Sequence, residues 1–365
     1  MPNYYNPVKI IHTQNWLNTL EDSQKNLSIT HPILVTSPGN RRRLKLDSQF
    51  ASDSIFSEIR GNPNFYNCDS IIKYCSGKNF DGVIALGGGS VMDLAKVVLA
   101  YLSTGETDII DLLTYKGNYE KSIPSIFLPT THGTGSEVTM WGTIWNMSEK
   151  KKYSISRMDL YPDIAILDGN LTLSLPIDIS IITTLDALSH SFEAIWNKNA
   201  NEKSTIYAIE AISIILANVD TLKKNPSDFN IRKNLIDASA KAGLAFSNTK
   251  TAAAHSISYP LTIRFGIPHG VASSISLVPL LEINGKQIKN PLDNICQTLN
   301  VTFDELIQKI KTIPKGVIPY TLSEWGVATS DLSQLVDESF TKGRMDNNIV
   351  DLTKDQVLEI LHSIK

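Results

Sequence analysis

Three histidines and one aspartate offer the most specific chemistry in this chain. Asp186 and His190 lie four residues apart in TLDALSHSFEAIW. That stretch reads as helix, which puts a carboxylate and an imidazole one turn apart on one face. His255 lies in AAAHSISYP and His269 in GIPHGVASS, so both must reach the first pair through the fold. The chain has seven histidines, and these three sit in small-residue, apolar contexts. Three neutral imidazoles and one carboxylate suit Fe(II) or Zn(II). An ion held with one position open can polarise a substrate oxygen. A helical Asp–His pair alone more often marks a local hydrogen bond. Glu193, three residues beyond His190, reads either as support for a ligand or as an exposed helix residue.

A second chemistry is suggested by GVIALGGGSVMDLAK, which sets Gly87, Gly88, Gly89 and Ser90 after a strand and before a helix. Glycines let the backbone approach an anion, and a helix N-terminus offers free N–H groups. Asp93 reads as part of the first helical turn, where it suits the dipole. The pattern is not GxGxxG, and a tight structural turn explains a triple glycine equally well. A hydroxyl-rich run, PTTHGTGSE (129–137), follows another strand, and Thr130, Thr131, Thr134 and Ser136 can meet phosphate or ribose. Two such loops at strand ends suit a nucleotide. His132, in the second loop, is assigned no chemistry.

These residues must be positioned by the elements around them. PILVT (32–36), GVIALG (82–87), SIFLPT (125–130) and DIAILD (163–168) read as buried strands with helical segments between several of them. That alternation predicts a parallel sheet covered by helices. Alanine-rich helical patterns follow at 183–199, 204–219, 231–246 and 270–283. The expected fold class is therefore α/β plus all-α: a Rossmann-like nucleotide-binding domain over 1–175 and a helical metal and substrate domain over 176–365. At 365 residues with a net charge of −3, the chain has ample core and no general pull toward nucleic acid. The start, MPNYYNPVKII, lacks a secretory apolar core, and no run reads as membrane-spanning. Cys68, Cys75 and Cys296 have no CxxC spacing and read as reduced thiols of a cytoplasmic protein.

Together, GGGSVMDLAK, PTTHGTGSEVT, YPDIAILDGNLTLSLP, TLDALSHSFEA and HSISYPLTIRFGIPHG resemble the iron-containing (group III) alcohol dehydrogenase family. The resemblance runs through most of the chain in the family's order. It implies a dehydroquinate synthase-like architecture in which dinucleotide and metal meet between the domains, and a homo-oligomer, with a dimer as the working expectation. It puts the metal ligands on Asp186, His190, His255 and His269. It puts the pyrophosphate loop on Gly87 to Ser90 with Asp93 nearby, the second nucleotide loop on Thr130, Thr131 and Thr134, and a nucleotide-contacting lysine on Lys152. The implied activity is hydride transfer between NAD(P)H and a carbonyl polarised by the metal. Many members carry a second histidine four residues after the first ligand histidine. Tyr259 stands there, and its ordinary pKa near ~10 makes it a poor base at neutral pH. The dehydroquinate synthases, which return the hydride within one turnover, are the alternative of a different class.

Two features bear on cofactor and substrate. The strand PILVT runs into Ser37-Pro38-Gly39-Asn40 and then Arg41-Arg42-Arg43. Ser37 is thus a cofactor-binding candidate, and no carboxylate is evident there to hold a ribose 2′-OH or repel a 2′-phosphate. NADPH is expected to be preferred over NADH. The words MWGTIWN, IWNKNAN, NTKTAAAHS and SYPLTIRFG are similar to the phosphonoacetaldehyde reductase (2-hydroxyethylphosphonate dehydrogenase) branch. Lys250, five residues before His255, and Arg264, between His255 and His269, would suit a phosphonate tail. Either could equally be a surface or salt-bridged side chain. A reductase of ordinary short-chain aldehydes or polyols is the alternative within the family.

Overall fold

The computed structural model describes residues 4–59, 61–114, 123–149 and 151–365. The chain divides into two compact units. One comprises Asn6–Thr131 with Ser136–Thr172, and the other comprises the chain up to Tyr5, His132–Gly135 and Leu173–Lys365.

Among the described residues the first unit has eight strands: β1 Lys9–His12, β2 Pro32–Thr36, β3 Ile55–Phe56, β4 Gly82–Gly87, β5 Ser125–Pro129, β6 Trp141–Asn146, β7 Lys151–Ser156 and β8 Ile164–Leu167. Six of them form a parallel sheet in the order β1-β8-β5-β4-β2-β3. β6 and β7 form a separate antiparallel hairpin, which the expectation of strand–helix alternation did not include. The helices are α1 Trp16–Asn26, α2 Pro38–Arg43, α3 Phe65–Cys75, α4 Gly89–Thr104 and α5 Ile109–Thr114. Successive β4 side chains point to opposite faces, and both faces are buried. Val83 and Ala85 join one core with α3 and α4; Ile84 and Leu86 join the other with Leu20 of α1. This explains why the central strands read as continuous apolar runs. Each large aliphatic side chain fully buried here contributes roughly 1.5–3 kcal/mol.

The second unit is helical: α6 Ile177–Ile195, α7 Glu202–Lys224, α8 Phe229–Thr249, α9 Ala253–Phe265, α10 His269–Ser274, α11 Leu277–Asn284, α12 Lys289–Leu299, α13 Phe303–Thr312, α14 Leu332–Glu338 and α15 Lys354–Ser363. α6 is its axis, buried on every side from Thr184 to Ile195 and packed against α7, α8, α9 and α10. By length and composition α7 is apolar enough to cross a membrane, which differs from the expectation that no run reads as membrane-spanning. In the fold it packs against α6, α8 and α12.

Residues 132–135 group with the helical unit, whereas the sequence reading placed them in a domain spanning 1–175. The physical tie is His132. Its Nε2 accepts a hydrogen bond from Arg232 Nη1 at 3.1 Å, which leaves Nδ1–H to donate to Thr184 Oγ1 at 3.2 Å. Burial and the neighbouring guanidinium hold the imidazole neutral, its pKa pushed down to about 3. Arg232 is itself buried and donates to Ser180 Oγ, Leu175 O and Pro226 O.

α10 approaches α6 so closely that a Cβ on Gly270 would lie 2.0 Å from the Ile182 carbonyl oxygen. Backbone cannot yield as a side chain does. Gly270→Ala should therefore destabilise the metal-free protein by about 1–3 kcal/mol. Urea denaturation checks this, and an unchanged midpoint would contradict the close approach.

Candidate active site

Three elements of the helical unit bring donor atoms together. α6 supplies Asp186, α9 supplies His255 and α10 supplies His269 from its first position. Their ligand atoms lie within 4.8 Å of one another. Nε2 of His255 and Nε2 of His269 are each 3.7 Å from Asp186 Oδ1. Ligands bound about 2.1 Å from a tetrahedral ion stand about 3.4 Å apart, so this spacing is close to what a divalent ion requires. His255 Nε2 is buried and has no hydrogen-bond partner. A buried ring nitrogen aimed at a carboxylate without bonding it is the arrangement a cation would complete.

Glu193 makes that arrangement possible. It lies seven residues after Asp186, two turns along the same face of α6. Its Oε1 accepts the backbone N–H groups of Ala252 at 2.9 Å and His255 at 3.0 Å, and its Oε2 accepts Nδ1–H of His255. The first turn of α9 has no capping side chain of its own, so Glu193 serves as its cap. The same carboxylate fixes the His255 tautomer, leaving the Nε2 lone pair for a metal. Ser273 of α10 donates to Asp186 Oδ1 at 3.0 Å, and Ser189 of α6 donates to the Ser273 carbonyl at 2.7 Å.

The charges agree with this reading. Burial alone would push His255 down, but the carboxylates of Glu193 and Asp186 outweigh it and raise the imidazole to about 9. Burial alone would raise Asp186, but the imidazoles around it hold it well below the usual carboxylate range. Two buried carboxylates thus draw a positive charge to this point, a proton in the metal-free protein or a divalent ion in its place.

His190, four residues after Asp186 on α6, is close but stands outside the group of three. Its ring stacks on His255 with centroids 4.5 Å apart and on Phe246 at 4.2 Å, and its Nδ1 is buried without a partner. Burial lowers its pKa to about 4, so the ring is neutral and can ligate. Three candidate ligands converge; the fourth expected from sequence, His190, is not among the residues whose ligand atoms lie within 4.8 Å of one another.

In the α/β unit the candidate nucleotide residues gather at strand C-terminal ends. The connection from β2 leads toward β3 and that from β4 toward β5, so the sheet order reverses between β2 and β4. Ligand sites in open parallel sheets form at such points. Gly88 caps α4 without a side chain, leaving the first N–H groups open to an anion. A Cβ at Gly87 would lie 2.5 Å from the Val91 side chain, so only glycine permits this approach. Asn40 donates to Thr130 Oγ1 at 3.2 Å, and Thr130 N donates to Gly87 O at 3.0 Å, tying the loops after β2, β4 and β5 together. The Ser37 hydroxyl caps α2 by accepting Asn40 N. Ser90 Oγ accepts Asn62 N. Thr131 packs over Gly88. Thr134 lies in the 132–135 segment of the other unit.

Asp93 lies beyond the first turn of α4, contrary to the sequence reading. Its carboxylate accepts Ser136 Oγ at 2.9 Å and Thr143 N at 3.0 Å, tying α4 to the second loop and the hairpin. Lys152 of β7 acts electrostatically on Asp93 and lies over the Trp145 ring. Sequence reasoning missed Lys96. Its buried ammonium donates to Ser136 O, Ser136 Oγ, Thr139 Oγ1 and Trp141 O, and burial pulls its pKa down to about 8. After β2 a carboxylate is nearer than expected: Asp47 pairs with Arg41 at 2.5 Å.

The two cations proposed for a substrate tail are placed differently from the expectation. Lys250 is the exposed C-cap of α8. Arg264 pairs with Glu338 at 3.2 Å. It follows His255 by nine residues, which is two and a half turns and the opposite face of α9. Tyr259, four residues after His255, shares the His255 face. Burial pushes its phenol up to about 12 against the pull of Arg344, so it remains neutral.

Comparison with known proteins bears on the whole chain. The family described as iron-containing alcohol dehydrogenase matches residues 7–169, and the Fe-containing alcohol dehydrogenase family, C-terminal, matches residues 180–365. The chain is 28% identical to long-chain-alcohol dehydrogenase 1 of Geobacillus thermodenitrificans over 90% of its own length and 88% of the relative's. It is 29% identical to 4-hydroxybutyrate dehydrogenase of Clostridium kluyveri, covering 80% of this chain and 74% of the other. The crystal structure of sulfoacetaldehyde reductase from Bifidobacterium kashiwanohense in complex with NAD+ superposes with a TM-score of 0.89 at 26% identity, covering 100% of this chain and 98% of that one.

Two outcomes follow from the Glu193–His255 pair. Glu193→Gln loses the acceptor for Nδ1–H and should weaken Zn(II) binding about 10–100-fold in chelator competition; unchanged affinity would refute the orienting role. In the metal-free protein His255 binds a proton up to about pH 9. Metal uptake must displace it, so affinity should fall about tenfold per pH unit below that value. Proton release measured during Zn(II) titration at neutral pH checks the sign, and release of none would contradict it.

Proposed function

The chain belongs to the iron-containing alcohol dehydrogenase family, and on that premise we propose that it is an NAD(P)H-dependent reductase of short aldehydes bearing an anionic tail. The preferred pair is phosphonoacetaldehyde and 2-hydroxyethylphosphonate. The observation that carries the reductase reading is the convergence of Asp186, His255 and His269, supported by Glu193, within the matched family region. Asp186, His255 and His269, with His190 as the further ligand, would hold Fe(II) or Zn(II), which would supply Lewis acidity for a carbonyl, and a bound nicotinamide would supply the hydride.

The chain's own residues provide the remainder. Glu193 keeps the His255 lone pair directed at the metal position. The open N–H groups after Gly88 receive a pyrophosphate, with Thr130, Thr131, Thr134 and Lys152 as further nucleotide contacts. Asp93 serves that site by holding the second loop and the hairpin through Ser136 and Thr143. Neutral Tyr259 can donate a hydrogen bond near the reacting group but does not remove a proton at neutral pH. The anionic tail is supported by two relatives whose names carry one, a sulfonate in sulfoacetaldehyde and a carboxylate in 4-hydroxybutyrate. NADPH is the proposed cofactor because three consecutive arginines, Arg41, Arg42 and Arg43, follow β2. A cytoplasmic homodimer completes the proposal on the resemblance alone.

Initial rates at 340 nm with metal-loaded enzyme test this. Phosphonoacetaldehyde should exceed propanal in kcat/KM by about 100-fold, or about 2.7 kcal/mol of transition-state discrimination. Equal values would return the substrate to ordinary short-chain aldehydes, and a kcat/KM favouring NADH would remove the cofactor preference. His255→Ala should abolish turnover; a retained rate would place the metal elsewhere.

A further inference from the structure

With Lys250 exposed and Arg264 on the far face of α9, the proposed anionic tail has no cation among the residues expected to hold it. The helical unit brings a different cation to Tyr259. The segment after α14 folds back onto α9. Ser256, adjacent to His255, donates through Oγ to Ser339 O at 2.5 Å and accepts Thr341 N at 3.2 Å. Asn347 donates to Thr251 O at 2.9 Å and to Gly343 O at 2.7 Å. These bonds fix Arg344 against the His255 face of α9. Its guanidinium carbon lies 4.9 Å from the centre of the Tyr259 ring, and its charge acts on the phenol.

Arg344 has what an anion receptor needs. Among the described residues no carboxylate pairs with it, in contrast to Arg264 with Glu338, Arg41 with Asp47 and Arg157 with Asp159. Its Nε is buried and without a hydrogen-bond partner. Leaving a buried guanidinium N–H unmet is costly unless a ligand meets it. Its ring partner follows the metal-ligand candidate His255 by four residues, about 6 Å of rise, which is the scale of a two-carbon aldehyde with a tetrahedral head. A planar guanidinium matches two oxygens of a phosphonate, sulfonate or carboxylate at once.

We propose that Arg344 is the specificity-determining residue that receives the anionic tail of the substrate, in place of Lys250 and Arg264. This rests on the reading of the site as a reductase of anionic-tailed aldehydes. Tyr259 positions the guanidinium, and Arg344 takes no part in the hydride step.

The test compares wild type, Arg344→Ala and Arg344→Lys, metal-loaded, on phosphonoacetaldehyde and propanal. Arg344→Ala should lower the ratio of the two kcat/KM values by about tenfold or more, the worth of a charge-assisted hydrogen bond. The loss should lie in KM for the phosphonate rather than in kcat, and Arg344→Lys should restore part of it. Calorimetry with 2-hydroxyethylphosphonate gives binding without turnover, and its Kd should weaken by a similar factor in Arg344→Ala. Equal losses on both aldehydes, as a purely structural clamp on Tyr259 would give, overturn the proposal. So does an unchanged Kd. A wild-type preference for the phosphonate that survives Arg344→Ala refutes Arg344 alone. A wild type without preference refutes the anionic-tail reading on which it rests.

Discussion

The carboxylate of Glu193 is the interaction on which the helical unit's site depends. It caps the otherwise uncapped start of α9 through two backbone N–H groups and fixes the ring of His255 through a third hydrogen bond. One side chain therefore decides where α9 begins, which His255 nitrogen carries the hydrogen, and where the other nitrogen points. A buried carboxylate is costly without partners. Here every partner belongs to the helix it positions, so local folding and site geometry are one event. The close approach of α10 to α6 at Gly270 performs the corresponding task for His269.

The α/β unit uses a buried cation in a similar way. Lys96 gathers Ser136, Thr139 and Trp141 around one ammonium, and Asp93 of the same helix holds Ser136 and Thr143. The second loop and the hairpin are thereby fixed to the helix that begins at the glycine turn. In the helical unit the buried Arg232 meets, among the described residues, neutral acceptors including His132. These groups are far from interchangeable with apolar ones, because each removed partner would leave a buried polar atom unmet.

Membership in the iron-containing alcohol dehydrogenases fixes the reaction type more firmly than the substrate. Relatives of similar distance carry names that refer to long-chain alcohols, 4-hydroxybutyrate and sulfoacetaldehyde. What differs is the part of the substrate that does not react, and the side chains that meet it are free to come from any element packed nearby. Arg344, from a short segment beyond α14, is the side chain proposed for that part.

The sequence by itself determined the continuous apolar strand runs and the helical patterns, and with them the fold class. PILVT and GVIALG coincide with β2 and β4, since a strand buried on both faces is a continuous apolar run. The pattern at 270–283 is split into α10 and α11, and the β6–β7 hairpin went unread because the buried positions of β6 are Gly142, Ile144 and Asn146, so hydrophobicity does not follow burial. Asp186, His190 and Glu193 were legible as one helical face, because spacing along a helix fixes direction. Whether Glu193 was buried or solvated was not legible, because burial depends on what packs against that face. The tertiary structure alone decided that Asp93 serves as a tie, that His132 pairs with Arg232, and that Arg344 rather than Arg264 stands beside Tyr259. These are contacts between residues scores of positions apart, and nothing local in the chain encodes them.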